Sequence, residues 1–417
     1  MHATLPTHRA YGYVLTLILL FFVPVEAAAQ DIDQLSAEEL EGRVADLFGR
    51  SCARAGCHAA PVPQQGMDLS RDLFYASTVD EPSREMPELK RVHPGQPEIS
   101  YLVMKVKGAP GISGVQMPLI GGKLTEEEID TIETWIRKIE TVDQERKTVE
   151  PEVAYPFLGW KVVNLPTTRT LPAKNQFFLI SHRFVPPVNV GYEGFYGLDG
   201  SGVIFLNFGY APTDELLMVL GRSNAADNVE FQARYQITPQ KLQGGSPIGI
   251  GVQGAVNWIT EGDDDAFKFT AQASFTHQVT EGLGLAVVPG ILFNPAEEID
   301  TLILPEDTDD PTDGEDPLIT LGVGGRWNFW RNVSLIAEWA PILSGYTRAL
   351  TVGNFNRFDS WGGGLEIATG GHVFQIVVSN SVGLTSDQYL RGGDLDIADF
   401  FDGEFRLGFN IFRILDI

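Results

Sequence analysis

Both cysteines of the chain, Cys52 and Cys57, lie in "GRSCARAGCHAAP" (residues 49–61), and His58 directly follows the second. Haem attached through two thioethers needs two thiols on one side of a turn, with a histidine at once available as an iron ligand. A disulfide between the two would close only a tiny loop and gain little loop-closure entropy. A zinc site wants about four nitrogen or sulfur ligands, and only two thiols exist. One covalent haem c is therefore the expectation, with four residues between the cysteines where the usual signature has two.

The iron needs a second ligand. Met67, Met86, Met104 and Met117 fall in the same region, and a methionine is by default a core filler. Met117 stands apart because it precedes Pro118 in "VQMPLIGGKLTEEEIDTIETWI", a loop leading into a helix. Met86, also followed by proline, is the alternative, and His93 would give a bis-histidine site.

Two helices must position these groups. Ser36 and Glu39 have capping-box spacing, and Leu40, Val44, Leu47 and Phe48 then recur at helical spacing up to Cys52. Thr125 and Glu128 repeat the capping signal before Ile129, Ile132, Trp135 and Ile136. A unit this small can scarcely build a sufficient core from side chains alone, and a large apolar macrocycle would complete it.

On Cys52, Cys57, His58, "HPGQPEISYLVMKV" (93–106) and "MPLIGGKLTEEEIDTIETWI" (117–136), the chain resembles the class I c-type cytochromes, in particular the planctomycete-type subgroup, over residues 40–140. The resemblance implies an all-α cytochrome c fold, with His58 as proximal and Met117 as distal ligand. Filling both axial positions leaves electron transfer as the iron's task.

Before this unit, "YGYVLTLILLFFVPV" (11–25) and the small residues after it have the layout of a secretory signal peptide, residues 1–29, with cleavage expected after Ala29. The formal net charge of −25 disfavours nucleic acid and anionic lipid heads as partners.

Near residue 150 the pattern changes from helical to period two. The expected division is a cytochrome c domain over 30–140, a linker over 141–174 and a β-domain over 175–417. In "DAFKFTAQASFTHQ", Phe267, Phe269, Ala271, Ala273 and Phe275 alternate with Lys268, Thr270, Gln272, Ser274 and Thr276. About twelve such strands are expected, near 176–184, 202–210, 215–223, 228–237, 246–259, 266–278, 283–293, 317–329, 332–340, 357–368, 371–380 and 403–413. A soluble β-sandwich would also alternate. Against it stand the charges on the polar face: Arg222, Glu230, Arg234, Lys268, Arg326, Glu338, Glu366 and Arg406. Connection lengths also alternate, with tight "APTD", "VTEG", "WRN" and "ATGG" against long 185–201, 294–316, 341–356 and 381–402. Both features predict an up-and-down antiparallel outer-membrane barrel, narrow enough for inward charges on adjacent strands to pair and obstruct it. This half is also similar to a family of bacterial β-barrel proteins of no assigned function, through 162–184 and 197–223.

The acidic stretch 297–317 offers oxygen ligands for calcium but lacks EF-hand spacing. An even strand number places both barrel ends, and the haem unit, on the periplasmic side. The expected function is an outer-membrane-anchored cytochrome that exchanges electrons with periplasmic or outer-membrane redox proteins, a multihaem cytochrome among them. The alternative is an outer-membrane channel whose haem domain acts as a redox-sensitive plug or a docking module. No nucleophile–base set or metal cluster suggests an enzyme.

Overall fold

The computed structural model describes residues 32–53, 57–59, 63–119, 122–147, 153–242, 244–260, 266–280, 282–295, 317–330, 332–345, 357–369 and 372–415. The expected signal peptide, and the acidic stretch apart from Pro317, lie outside the described residues.

The helical unit is built as its capping signals predict. Helix α1 (Ala37–Ser51) starts at Ser36, whose hydroxyl accepts from the Glu39 N–H while the Glu39 carboxylate accepts from the Ser36 N–H. Short helices α2 (Phe74–Thr78) and α3 (Tyr101–Lys107) follow. Helix α4 (Glu126–Arg137) has the same reciprocal cap between Thr125 and Glu128. Leu40, Val44, Leu47 and Phe48 of α1 are buried with Phe74 and with Ile132, Trp135 and Ile136 of α4.

Within the expected linker, residues 144–147 and 157–171 are packed rather than free. Helix α5 (Gln144–Lys147) belongs to the helical unit. There Lys147 donates to the Ala76 and Val79 carbonyls, and the Arg146 guanidinium lies 3.7 Å from the Tyr75 ring centroid while pairing with Glu41. Residues 157–171 are packed inside the barrel, as described below.

The barrel wall runs β1 (Gln176–Phe184), β2 (Gly202–Tyr210), β3 (Leu216–Ser223), β4 (Asn228–Thr238), β5 (Gly249–Ile259), β6 (Ala266–Thr280), β7 (Leu283–Phe293), β8 (Leu318–Trp330), β9 (Val333–Ala340), β10 (Ile342–Ser344), β11 (Ser360–Thr369), β12 (His372–Ser379) and β13 (Arg406–Leu415). Each pairs antiparallel with its neighbour, and β1 closes on β13 from Gln176↔Leu415 to Arg183↔Gly408. The short β10 continues β9 beyond Pro341 along β8, so the closed wall has twelve strand positions. Closure removes the edges an open sheet would expose.

The alternation is inverted relative to a soluble protein. Buried side chains facing inward are polar, among them Gln232, Gln253, Gln272, Gln375 and Asn410, while Leu206, Phe208, Leu220, Phe231 and Ile376 are exposed on the outside. Exposed aromatics flank this apolar band near opposite rims: Trp258 stacks beside Phe267, and Trp327 lies tilted against Phe329. An outward apolar band between aromatic girdles matches a hydrocarbon layer, where only closed barrels and helices satisfy their backbone.

Of the expected inward charges, Glu230, Arg234, Lys268, Arg326, Glu338, Glu366 and Arg406 are buried in the lumen. Arg222 is a correction. The β3 alternation puts it outward, where it is exposed and pairs with Asp227 at the strand end. Charges on the adjacent strands β8 and β9, Arg326 and Glu338, do not pair with each other. Arg326 reaches Glu366 instead (2.8 Å), because Glu338 is turned to a segment inside the barrel.

Candidate functional site

Two regions concentrate chemistry. The first is a cavity of about 310 Å³ in the helical unit, within the ~300–1,000 Å³ range of ligand and cofactor sites. Its walls include Phe48, Cys52, Cys57, His58, Met67, Leu69, Leu102, Val106 and Met117. The end of α1 delivers Cys52, whose N–H continues the helix to the Phe48 carbonyl (2.8 Å). The turn beyond it returns so that the His58 N–H meets the Cys52 carbonyl (3.2 Å). Across the cavity, the Met117 N–H is held by the Lys105 carbonyl of α3 (3.0 Å). All four residues singled out in the sequence thus line one cavity, whereas Met86 and His93 are not among its lining residues.

His58 is oriented. Its Nδ1 lies 3.3 Å from the Met67 carbonyl oxygen, which can only accept, so Nδ1 carries the proton and Nε2 keeps its lone pair. Burial, opposed in part by this hydrogen bond, lowers the imidazole pKa and favours the neutral form that a metal ligand requires. The cavity also contains cations that the sequence reading passed over. Arg91 donates to the Gly66, Ser77 and Gln65 carbonyls, and Lys105 pairs with Glu85 at 2.9 Å. They escaped notice because an isolated arginine or lysine in a loop-rich segment carries no periodic signal.

The second region is the lumen, filled by two inserts. The hairpin 157–171 enters from the rim that bears both barrel ends; Val162 N–H bonds the Leu165 carbonyl (2.8 Å) and Thr167 N–H the Trp160 carbonyl (3.0 Å). Its tip meets Glu338, whose carboxylate accepts from the N–H groups of Val163 (2.9 Å), Asn164 (2.8 Å) and Leu165 (2.9 Å). Arg234 donates to the Trp160 carbonyl (2.8 Å) and Gln375 to the Val162 carbonyl (2.8 Å).

From the opposite rim, the β12–β13 connection folds inward over 380–395 and carries α6 (Ser386–Leu390). Glu230 accepts from the Ser386 N–H (2.6 Å), and the Tyr389 hydroxyl donates to Gln272 (2.7 Å). Arg406 holds Asp394 through two bonds of 2.6 and 2.8 Å. The inserts meet in one apolar cluster containing Phe157, Val162, Val163, Leu165, Tyr389 and Leu390. The sequence did carry a signal for the hairpin: inward glycines in β7 and β8. A Cβ on Gly284 would lie 2.2 Å from the Pro156 oxygen and one on Gly322 2.6 Å from Leu165, the mark of another segment's close approach.

Among curated proteins, none matches the sequence. Several solved structures share the barrel wall. The COG4313 outer membrane channel from Pseudomonas putida F1 is 13% identical, over 60% of this chain and 98% of that one, with a TM-score of 0.35. The NanC porin is 8% identical over 58% and 100%, also at 0.35. LpxR from Salmonella typhimurium is 11% identical over 57% and 99%, at 0.28. The sequence model of the membrane bound beta barrel domain (DUF5777) matches residues 157–415, and so takes in the lumen hairpin together with every strand. The chain belongs to this family of membrane-bound β-barrels.

Proposed function

We propose that this outer-membrane barrel carries a c-type haem unit that exchanges electrons on the periplasmic side. The observation that carries the reading is the convergence of Cys52, Cys57, His58 and Met117 on one cavity, with His58 Nδ1 engaged and Nε2 left for iron. Cys52 and Cys57 would hold the haem through thioethers, and His58 and Met117 would ligate its iron. Arg84, Arg91 and Lys105, which share the lining, would offset its carboxylates. Haem with both axial positions filled supplies one-electron transfer and leaves no open coordination site.

The even strand number and the short turns beside the barrel ends favour a periplasmic position for the helical unit. One haem cannot conduct alone across a hydrocarbon core of roughly 30 Å. Its partners on this reading are periplasmic or outer-membrane redox proteins, including a multihaem cytochrome if electrons cross. The test is the optical spectrum of membrane-extracted protein. A reduced low-spin c-type spectrum that turns high-spin in Met117→Ala supports the reading. A wild type without haem, or one already high-spin, refutes it.

A second reading is a transport barrel, favoured by the polar inner wall, where Gln232, Gln253, Gln272, Gln375 and Asn410 face the lumen. Solute efflux from vesicles that changes with haem redox state would support the form in which the helical unit regulates transport. Efflux independent of redox state would leave transport without that regulation.

A further inference from the structure

We propose that the hairpin 157–171 is a displaceable plug latched by Glu338, and that moving it aside opens a passage for small polar solutes past the 380–395 insert, which stays docked. The proposal rests on the transport reading, and replaces the helical unit with the hairpin as the stopper.

Topology permits withdrawal. Ahead of the hairpin, Val153 bridges Lys241 in the β4–β5 connection; behind it, Ala173 N–H bonds Asp214 Oδ1 (2.7 Å) in the β2–β3 turn. Both turns belong to the rim carrying the barrel ends. The hairpin can therefore leave by the side it entered, without threading a chain end through the wall.

Its packing also leaves buried polar atoms unmatched. Trp160 Nε1 and Asn164 Nδ2 of the hairpin, and Arg183 Nε, Asn207 Nδ2 and Gln272 Nε2 of the wall, are buried without a hydrogen-bond partner. Lys161 brings an ammonium group to the hairpin tip with 8% exposure, where it makes a long bond to the Leu384 carbonyl (3.4 Å) and lies 5.2 Å from the Phe205 ring centroid. Among the described residues no carboxylate lies within ion-pair distance of it. Buried donors without partners, and a buried cation without a counter-charge, destabilise the docked state. Water entering on release would satisfy them, and would meet a wall already lined by amide and hydroxyl side chains.

Against these costs stands Glu338, a carboxylate accepting three successive N–H groups at the tip. Such charge-assisted bonds are the strong ones, and this cluster joins the hairpin to one wall strand. It is the latch.

The experiment uses the full chain in planar bilayers and vesicles. Asn164→Cys places a thiol at the tip, and its reaction with a membrane-impermeant maleimide is measured above the background of the chain without that substitution. Glu338→Gln keeps the side-chain shape and removes the charge. Labelling is expected to rise on the order of ten- to hundredfold, the effect of one or two lost charge-assisted bonds on an opening equilibrium, together with measurable ion conductance. Unchanged labelling would overturn the plug, even if current appeared. Raised labelling without current would leave the hairpin displaceable and refute the transport reading instead. Should Glu338→Gln fail to fold, Gln375→Ala removes the donor to the Val162 carbonyl and is read the same way, with a smaller expected rise.

Discussion

Arg406 and Asp394 form a buried ion pair between the inward-folded loop and the wall. Their side chains are 2% and 1% exposed, and the guanidinium meets the carboxylate through both terminal nitrogens, at 2.6 and 2.8 Å. Replacing Asp394 with alanine leaves a cation with no counter-charge in a dry site. Loss of one partner from a buried pair typically costs about 3–5 kcal/mol. Arg406 keeps acceptors in the Val185 carbonyl (2.6 Å) and the Asn380 carbonyl (3.1 Å), which argues for the lower end, ~3 kcal/mol. Converting both residues to apolar ones of similar size, Arg406→Met with Asp394→Leu, should recover most of that loss, because both desolvation costs disappear together. Urea unfolding in phospholipid vesicles, followed by tryptophan fluorescence, gives the free energies for a double-mutant cycle. An Asp394→Ala barrel within about 0.5 kcal/mol of wild type would refute the reasoning, since it would mean the pair is hydrated or the loop does not dock.

Other expectations follow from the same geometry. Leu206 is exposed at the middle of β2, so Leu206→Arg should cost about 2–4 kcal/mol of barrel stability in lipid, and much less if that face met water; the same urea assay decides. Gly284→Val would drive a side chain into the Pro156 oxygen, displacing the entering leg of the hairpin, and should expose residues near 153–157 to protease in folded, detergent-solubilised barrel. In the helical unit, Thr125→Ala should cost about 0.5–2 kcal/mol by removing the α4 cap, read from the helical circular-dichroism signal. Glu128 titrates below its usual range, chiefly through the Thr125 N–H it accepts and the Arg50 side chain. Its stabilising contribution is therefore present above the unfolded carboxylate value and lost as pH falls through the lowered folded one. The cost of Glu128→Gln should shrink in acid, and a cost that stays constant from neutral pH into that range would contradict the assignment.

The barrel wall was legible because period-two alternation is local. Phe267 to Thr276 announce their faces whatever the partner strand, and all twelve expected strands appear with ends shifted by a few residues. The two capping boxes were legible for the same reason, since three-residue spacing fixes a helix start within one turn. Arg222 failed at a strand end, where side chains leave the lipid band and polarity no longer reports the face. Residues 141–174 looked like a linker because charge and proline break every period there. Yet Arg146 and Lys147 pack on the helical unit, and 157–171 lie in the lumen.

By itself, the sequence determined the kind of wall, the parity that brings its ends to one rim, and a thiol–thiol–imidazole cluster whose chemistry is set by residue type. The tertiary structure alone decided what occupies the lumen and which distant residues line a cavity with His58. Those outcomes depend on contacts between residues far apart in the chain, such as Glu338 with Asn164 or Glu230 with Ser386, and on Met117 and Cys52 lining one cavity. No local spacing encodes them, because they arise only once the closed wall and the packed helices have fixed which distant segments meet.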